Sequence, residues 1–251
     1  MRVVGVIPAR WGSTRFPGKS LAPILGRPLI QWVIAGALKA RRLDDVVVAT
    51  DDNRIAAAVK SFGAKAVMTR SDHPSGTDRV AEAVRDTAAD VVINIQGDEP
   101  LIDPDLVDRV ADWMTGDETW DMATVACPIR TEAEVLARSV VKVVWDSRHR
   151  ALYFSRSPIP MVRDGDVGLE SRPYWRHIGL YGYRRAFLER LVKEPPCLLE
   201  RCEKLEQLRA LHIGGSIGVA EAEEAGVGVD TPADVRLVEP LLAARAKGGR
   251  A

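Results

Sequence analysis

Two rhythms of apolar and polar positions alternate along the first part of the chain. Short β-branched runs, Arg2 to Pro8, Asp45 to Thr50, Ala64 to Met68 and Asp90 to Gln96, read as strands. Between them, Pro28 to Ala40, Asp52 to Phe62 and Gly76 to Thr87 place apolar residues three and four apart, the spacing of a helix with one buried face. Alternation of the two predicts βαβ units and a mainly parallel sheet, with ligands beyond the carboxyl ends of its strands. Three polar clusters fall there: PARWGSTRFPGK after the first strand, ATDD at the end of the second and QGDEP at the end of the fourth. Further on, Asp121 to Pro128, Val140 to Trp145 and His177 to Tyr183 read as strands, and the Arg- and Pro-rich stretch Tyr153 to Tyr174 as an irregular excursion. Leu198 to Leu211 is expected as one helix, and Thr231 to Ala246 as a closing helix with Asp230 at its N-cap. The KGGRA ending is expected to fray.

Composition narrows the class. The chain has 251 residues, enough to bury a large core as one domain or as a domain with a sizeable insertion. Lys plus Arg and Asp plus Glu number 35 each, so the net charge is zero and the overall field gives no case for nucleic-acid binding. Three cysteines, Cys127, Cys197 and Cys202, lack the pairing and spacing of a disulfide framework or a structural zinc site. The first apolar run stops at Pro8, short of a signal h-region, and no segment approaches the roughly 18 apolar residues of a membrane span. These features lead us to expect a soluble, cytoplasmic protein without membrane insertion.

Local charge is where the chemistry begins. Arg10, Arg15 and Lys19 crowd the first loop with no acid among them. GSTRFPGKS invites comparison with the P-loop, but that motif needs four residues between its glycines and a helix directly after. Here five residues separate Gly12 from Gly18, and Pro23, Gly26 and Pro28 interrupt any helix. What remains is a glycine-containing loop at a strand's carboxyl end with two guanidiniums and an ammonium, a set suited to the oxygens of a triphosphate. Solvated surface cations are the plainer alternative.

Carboxylates for a divalent ion are the complement. Asp98 follows Gly97 at the end of a buried-looking strand, and Asp230 opens GVDTP. Magnesium takes few carboxylates together with phosphate oxygens and water, so two aspartates from distant segments suffice. On local sequence alone, Asp230 reads more readily as a helix N-cap, and Asp98 equally well as a turn residue before Pro100.

The segment IPARWGSTRFPGKSLAPILGRPLI closely resembles the opening loop of the 3-deoxy-manno-octulosonate (Kdo) cytidylyltransferases, a branch of the nucleotide-sugar pyrophosphorylase superfamily. The likeness recurs in order at VVVATDD (46–52), MTRSDHPSGTDR (68–79), VINIQGDEPLI (92–102), VKVVWDSRHRALYFSRSPIP (141–160), RHIGLYGYR (176–184), EKLEQLRAL (203–211) and GVDTPADV (228–235). It departs at Trp11-Gly12, where many members have Tyr-Ala or Tyr-Gly, at Trp32, where His is frequent, and in a shorter stretch between Pro160 and Tyr174. The sibling group that uses 8-amino-Kdo carries QGDQP in place of QGDEP.

This resemblance implies a Rossmann-like nucleotide-diphospho-sugar transferase fold with a smaller sugar-binding and dimerisation excursion. Residues 1–120 would form the nucleotide part, 121–225 the sugar and dimer part, and 226–251 a closing metal-ligand loop and helix. It implies CTP and an acidic eight-carbon sugar as substrates, CMP transfer to the anomeric hydroxyl for lipopolysaccharide biosynthesis, and a homodimer. Arg10, Arg15, Lys19 and Asp98 would be catalytic, with Mg²⁺ on Asp98 and Asp230. Ala9, Thr50, Asp51, Ser75, Gly76 and Arg79 would border the nucleotide, and Gln96, Arg156, His177, Tyr181, Glu206 and Gln207 the sugar. The rival activities are transfer to 8-amino-Kdo or to another acidic sugar such as sialic acid. A glycosyltransferase would show a D-x-D motif where this chain has QGDEP.

Overall fold

β1 (Val3–Ala9) is buried along almost its whole length, as befits a strand covered on both faces. It belongs to a computed structural model that describes residues 1–13, 15–116, 120–163, 168–171 and 173–247. Two compact units are resolved, one of Met1–Ala111 with Gly226–Ala251 and one of Asp112–Ala225.

In the first unit, β1 leads through the cationic loop to a 3-10 turn, Lys19–Leu21, and a small hairpin of β2 (Pro23–Ile24) and β3 (Arg27–Pro28). Then α1 (Leu29–Ala37), β4 (Asp45–Thr50), α2 (Asn53–Ser61), β5 (Lys65–Met68), α3 (Gly76–Ala83) and β6 (Val91–Asn94) follow in the expected alternation. β1 pairs in parallel with β4 on one side and β6 on the other, and β5 extends the sheet beyond β4. The chain therefore reverses its direction of build between β1 and β6, which is where an open α/β sheet leaves a crevice for ligands. α4 (Pro104–Thr115) leads out of this unit.

The second unit runs through β7 (Met122–Pro128), α5 (Glu132–Leu136), β8 (Lys142–Trp145), β9 (Ala151–Ser155), β10 (Trp175–Arg184), α6 (Arg185–Leu191), α7 (Leu198–Glu203), α8 (Gln207–His212) and β11 (Ile217–Glu221). Its pairing is mixed: β11 lies parallel to β7, whereas β7 with β10, β10 with β8, and β8 with β9 are antiparallel. α9 (Pro232–Lys247) then completes the first unit.

Four differences from the sequence pattern have physical causes. The excursion expected from Tyr153 begins as a strand, because β9 pairs with β8 from Ala151 to Ser155; its residues 164–167 and 172 lie outside the described set, as do residues 248–251 of the ending expected to fray. The single helix expected from Leu198 to Leu211 is two. Lys204 adopts the left-handed conformation (φ 53°), and α8 turns back so that Arg209 donates to both carboxylate oxygens of Glu200 at 2.9 Å. β6 stops at Asn94, freeing Gln96 to Asp98 for the crevice. Asp230 is not the cap of α9. The helix starts at Pro232, which puts Thr231 at the cap position, and Asp234 in the first turn reaches back so that its Oδ2 accepts from the backbone N–H groups of Asp230 and Thr231 and from the Thr231 hydroxyl.

Lys142 holds the start of β8 from inside. It is wholly buried, and its ammonium donates to the carbonyls of Ala137, Val140 and Arg156 at 3.1, 2.7 and 2.6 Å. Burial pulls its pKa below the ordinary lysine value. Lys142→Ala leaves those carbonyls without their donor and opens a cavity. It is expected to destabilise the protein by about 3 kcal/mol, read as a lower urea midpoint at unchanged slope.

Candidate active site

At the carboxyl end of β1, a cavity of about 320 Å³ opens in the first unit. Ala9, Arg10, Arg15 and Lys19 line it from the first loop, Ser75, Gly76 and Arg79 from the start of α3, Gln96 and Asp98 from the turn after β6, and Asp230 from the approach to α9. Ten of the residues singled out in the sequence thus meet in one place. Ser13, Ser20, His73, Pro74 and Gly97 line it as well without having been foreseen. A lone serine or histidine in a loop gives no spacing signal, but Gly97 could have been read from its neighbour Asp98.

Gly97 is needed for its lack of a side chain. A Cβ there would stand 2.5 Å from the carbonyl oxygen of Pro8. The turn after β6 can therefore press against the end of β1 and bring Asp98 to face the cationic loop. That loop is tied by Trp11, whose carbonyl accepts from the backbone N–H groups of Ser13 and Gly18 at 2.9 and 3.1 Å. Gly18 takes φ 70° with the Trp11 indole against it, a position where a side chain would be both strained and crowded. On the ring lies the Arg54 guanidinium, 3.3 Å from the centroid, and Asp52 grips that guanidinium at 3.0 and 2.7 Å. The Arg54 contact holds the Asp52 carboxyl down at about 2.

Charge closes over the loop. Lys19 Nζ lies 2.7 Å from Asp98 Oδ2 and 3.3 Å from Asp230 Oδ1, and Arg15 Nη2 lies 3.1 Å from the same Asp230 oxygen. One ammonium thus meets a carboxylate oxygen of each aspartate. Two hard anionic oxygens, both partly open to solvent, match the few-carboxylate preference of Mg²⁺. Among the described residues, no group of three or more His, Cys, Asp or Glu is placed to hold a metal.

On the far wall, Ser75 caps α3, accepting from the Asp78 N–H at 3.2 Å and donating to its carboxylate at 2.6 Å. Arg79 is nearly buried, with its guanidinium on the Thr69 hydroxyl and, at 3.3 Å, on Asp51 Oδ2. Thr50 and Asp51 do not line the cavity. Thr50 is fully buried with its hydroxyl accepting from the Asp52 N–H, and Asp51 stands behind Arg79 with Oδ1 buried and unpartnered.

The remaining candidates belong to the second unit. Tyr181 donates to Gln207 Oε1 at 3.4 Å, while the Gln207 amide nitrogen is buried without a partner. His177 lies edge-on to Phe154 and beside Tyr181. Its Nε2 is 2.9 Å from the Thr124 hydroxyl, which also lies 2.9 and 3.2 Å from the carbonyls of Leu180 and Ile178. Since carbonyls accept only, the hydroxyl donates to them and accepts from Nε2–H, which fixes the neutral tautomer. Burial lowers the His177 pKa to about 3, and burial, helped by the Glu206 charge, raises that of Tyr181. Both are uncharged at neutral pH. The Arg156 guanidinium donates to the carbonyls of Glu203, Arg138 and Lys204 and straps main chain together.

The sequence profile of the family described as Cytidylyltransferase matches residues 4–217. A protein of Bdellovibrio bacteriovorus named 3-deoxy-manno-octulosonate cytidylyltransferase is 51% identical, with 98% of this chain and 99% of that protein covered. One of the same name from Syntrophobacter fumaroxidans is 49% identical over 99% and 100% of the two chains. Among solved structures, CMP:2-keto-3-deoxy-manno-octonic acid synthetase complexed with CTP is similar at a TM-score of 0.92 and 45% identity, covering 98% of this chain and 100% of that one. A cytidylyltransferase from Leptospira borgpetersenii, at 17% identity and a TM-score of 0.64, shares the fold.

The enclosed His177 makes a pH test. Its folded pKa of about 3 lies below the unfolded value of 6.5, so the unfolded chain takes up the proton first. Its contribution to stability is complete above pH 6.5 and is lost as the pH falls toward 3. Urea titrations should show the parent losing stability over that window faster than His177→Phe, by up to about 1.4 kcal/mol per pH unit; parallel curves would contradict it.

Proposed function

Because the chain belongs to the cytidylyltransferase family, and relatives named 3-deoxy-manno-octulosonate cytidylyltransferase match it nearly end to end, we propose that it transfers CMP from CTP to the anomeric hydroxyl of Kdo, releasing pyrophosphate. One observation carries the chemistry: Lys19, in the loop built for phosphate, meets Asp98 and Asp230 at a single point in the first unit. Phosphate-gripping cations and ion-holding carboxylates at one place are what nucleotidyl transfer needs.

The bond that forms joins the sugar's anomeric oxygen to the α-phosphorus; the bond that breaks joins that phosphorus to the oxygen leading to the β-phosphorus. Arg10, Arg15 and Lys19 hold the phosphates in line and balance the charge gathering on the leaving pyrophosphate. Asp98 and Asp230 are the residues that would hold Mg²⁺. When bound, that ion would supply charge neutralisation at the phosphate oxygens and would lower the pKa of the attacking hydroxyl. Arg79, fixed by Thr69 and Asp51, borders the nucleoside together with Ser75 and Gly76.

For the sugar, the second unit offers three neutral polar side chains and one carboxylate. The unpartnered Gln207 amide nitrogen suits a polyol oxygen, with Tyr181 holding the amide by its other end. His177 and Glu206 complete the group. The reading extends to a cytoplasmic homodimer that makes the CMP-sugar for lipopolysaccharide. Among the described residues, no helix is long and apolar enough to cross a membrane.

A pyrophosphate-release assay crossing CTP, UTP, ATP and GTP with Kdo, 8-amino-Kdo and sialic acid is expected to respond to CTP with Kdo. Silence with every pairing of CTP and acidic sugar would overturn the proposal, and preference for 8-amino-Kdo would move it to the sibling activity. Asp98→Asn should lower turnover more than tenfold, a barrier increase above about 1.4 kcal/mol.

A further inference from the structure

Lys19 does more in this structure than wait for phosphate. Its ammonium occupies the space between Asp98 and Asp230, and its side chain is 15% exposed against 32% and 49% for the two carboxylates. The backbone beneath it is fixed. Gly18 is held in the left-handed conformation under Trp11, and Lys19 N–H donates to the Phe16 carbonyl at 3.1 Å. Arg15 supplies a second positive charge to Asp230 from a far more exposed position, with its side chain 66% exposed. Each of the two carboxylates thus already carries a cation, and a divalent ion arriving alone finds both contacted oxygens occupied. It has to displace an ammonium already seated on both of its oxygen ligands.

A triphosphate changes that balance. Its oxygens compete for the same ammonium and guanidinium from the cavity those groups line. We propose that Lys19 is an exchangeable counter-ion: it keeps the Asp98–Asp230 pair closed to a divalent cation until the nucleotide's phosphates draw its ammonium away. Nucleotide and ion then bind with positive coupling, and by linkage each strengthens the other by the same factor. Ion binding to the nucleotide-free protein is weak by construction. The inference rests on the proposed placement of the ion at Asp98 and Asp230.

Water-proton relaxation with Mn²⁺ on the purified, full-length protein tests this without any turnover. Lys19→Met should bind Mn²⁺ about tenfold more tightly than the parent in the absence of nucleotide, within the usual range of site-to-site coupling. Adding Asp98→Asn should abolish that gain. CTP should tighten Mn²⁺ binding to the parent and do so far less in Lys19→Met. Equal or weaker nucleotide-free binding in Lys19→Met overturns the counter-ion role, and Lys19→Gln repeats the measurement should the methionine variant fail to fold. If Mn²⁺ still binds the parent with CTP and Asp98→Asn removes it, the placement of the ion survives that failure. If the parent binds no Mn²⁺ even with CTP, both fall together.

Discussion

Between Pro8 and Gly97 the main chain of the first unit comes as close as atoms allow. A single added carbon on Gly97 would overlap the Pro8 carbonyl oxygen at 2.5 Å, and the site's geometry follows from that contact. β1 and β6 lie side by side, the chain leaves both in different directions, and the crevice between the two departures is as narrow as the glycine permits. Asp98 is the next residue. Its carboxylate therefore reaches the Lys19 ammonium at 2.7 Å, and Val229 N–H, donating to the Asp98 carbonyl at 2.8 Å, brings Asp230 to the same ammonium. A bulkier turn would separate the three groups without altering any of them.

The loop across from Gly97 is held by contacts of a different kind. Arg54 and Asp52, at the start of α2, close on the Trp11 ring, and the ring covers Gly18. The Trp11 indole does a job that a smaller ring would do with less contact. Its flat face is offered to a guanidinium on one side and to backbone on the other. Arg10, Arg15 and Lys19 thereby sit on a loop whose two ends are tied, which limits the freedom they lose when they close on phosphate.

Most of the first unit was legible because its signals are local and periodic. β4 spans the residues its β-branched run indicated, and α1, α2 and α3 fall within their apolar stripes. The cavity followed from the same rule, since strands of a parallel sheet deliver their following loops to one end. What escaped depends on partners far away in sequence. β11 contains Gly218 and Ala220, poor strand formers by propensity, but a Cβ on Gly218 would lie 2.7 Å from the Trp113 ring, so packing requires the glycine there. The break at Lys204 arises from Arg209 reaching back to Glu200, which no periodicity shows. α4 is a different kind of miss. Asp103 before Pro104, then Val107, Val110, Ala111 and Met114 buried on one face, form an ordinary helix signal that went unread.

Charge makes a phosphate site more legible in sequence than a sugar site. A triphosphate and a divalent ion are recognised by formal charges, and Arg, Lys and Asp declare theirs in any sequence. A polyol acid is recognised largely by neutral groups whose value lies in where burial leaves them. Gln207 shows the difference: by type it belongs on a solvated helix face, yet α8 buries it and leaves its amide nitrogen without an acceptor. An unpaired buried donor costs about 1–3 kcal/mol, a cost that a ligand oxygen at the right position recovers and a wrong ligand does not. The same holds for His177, which is held neutral by burial, with its proton directed to Thr124. What burial does to such groups depends on the packed fold, which composition and spacing do not record.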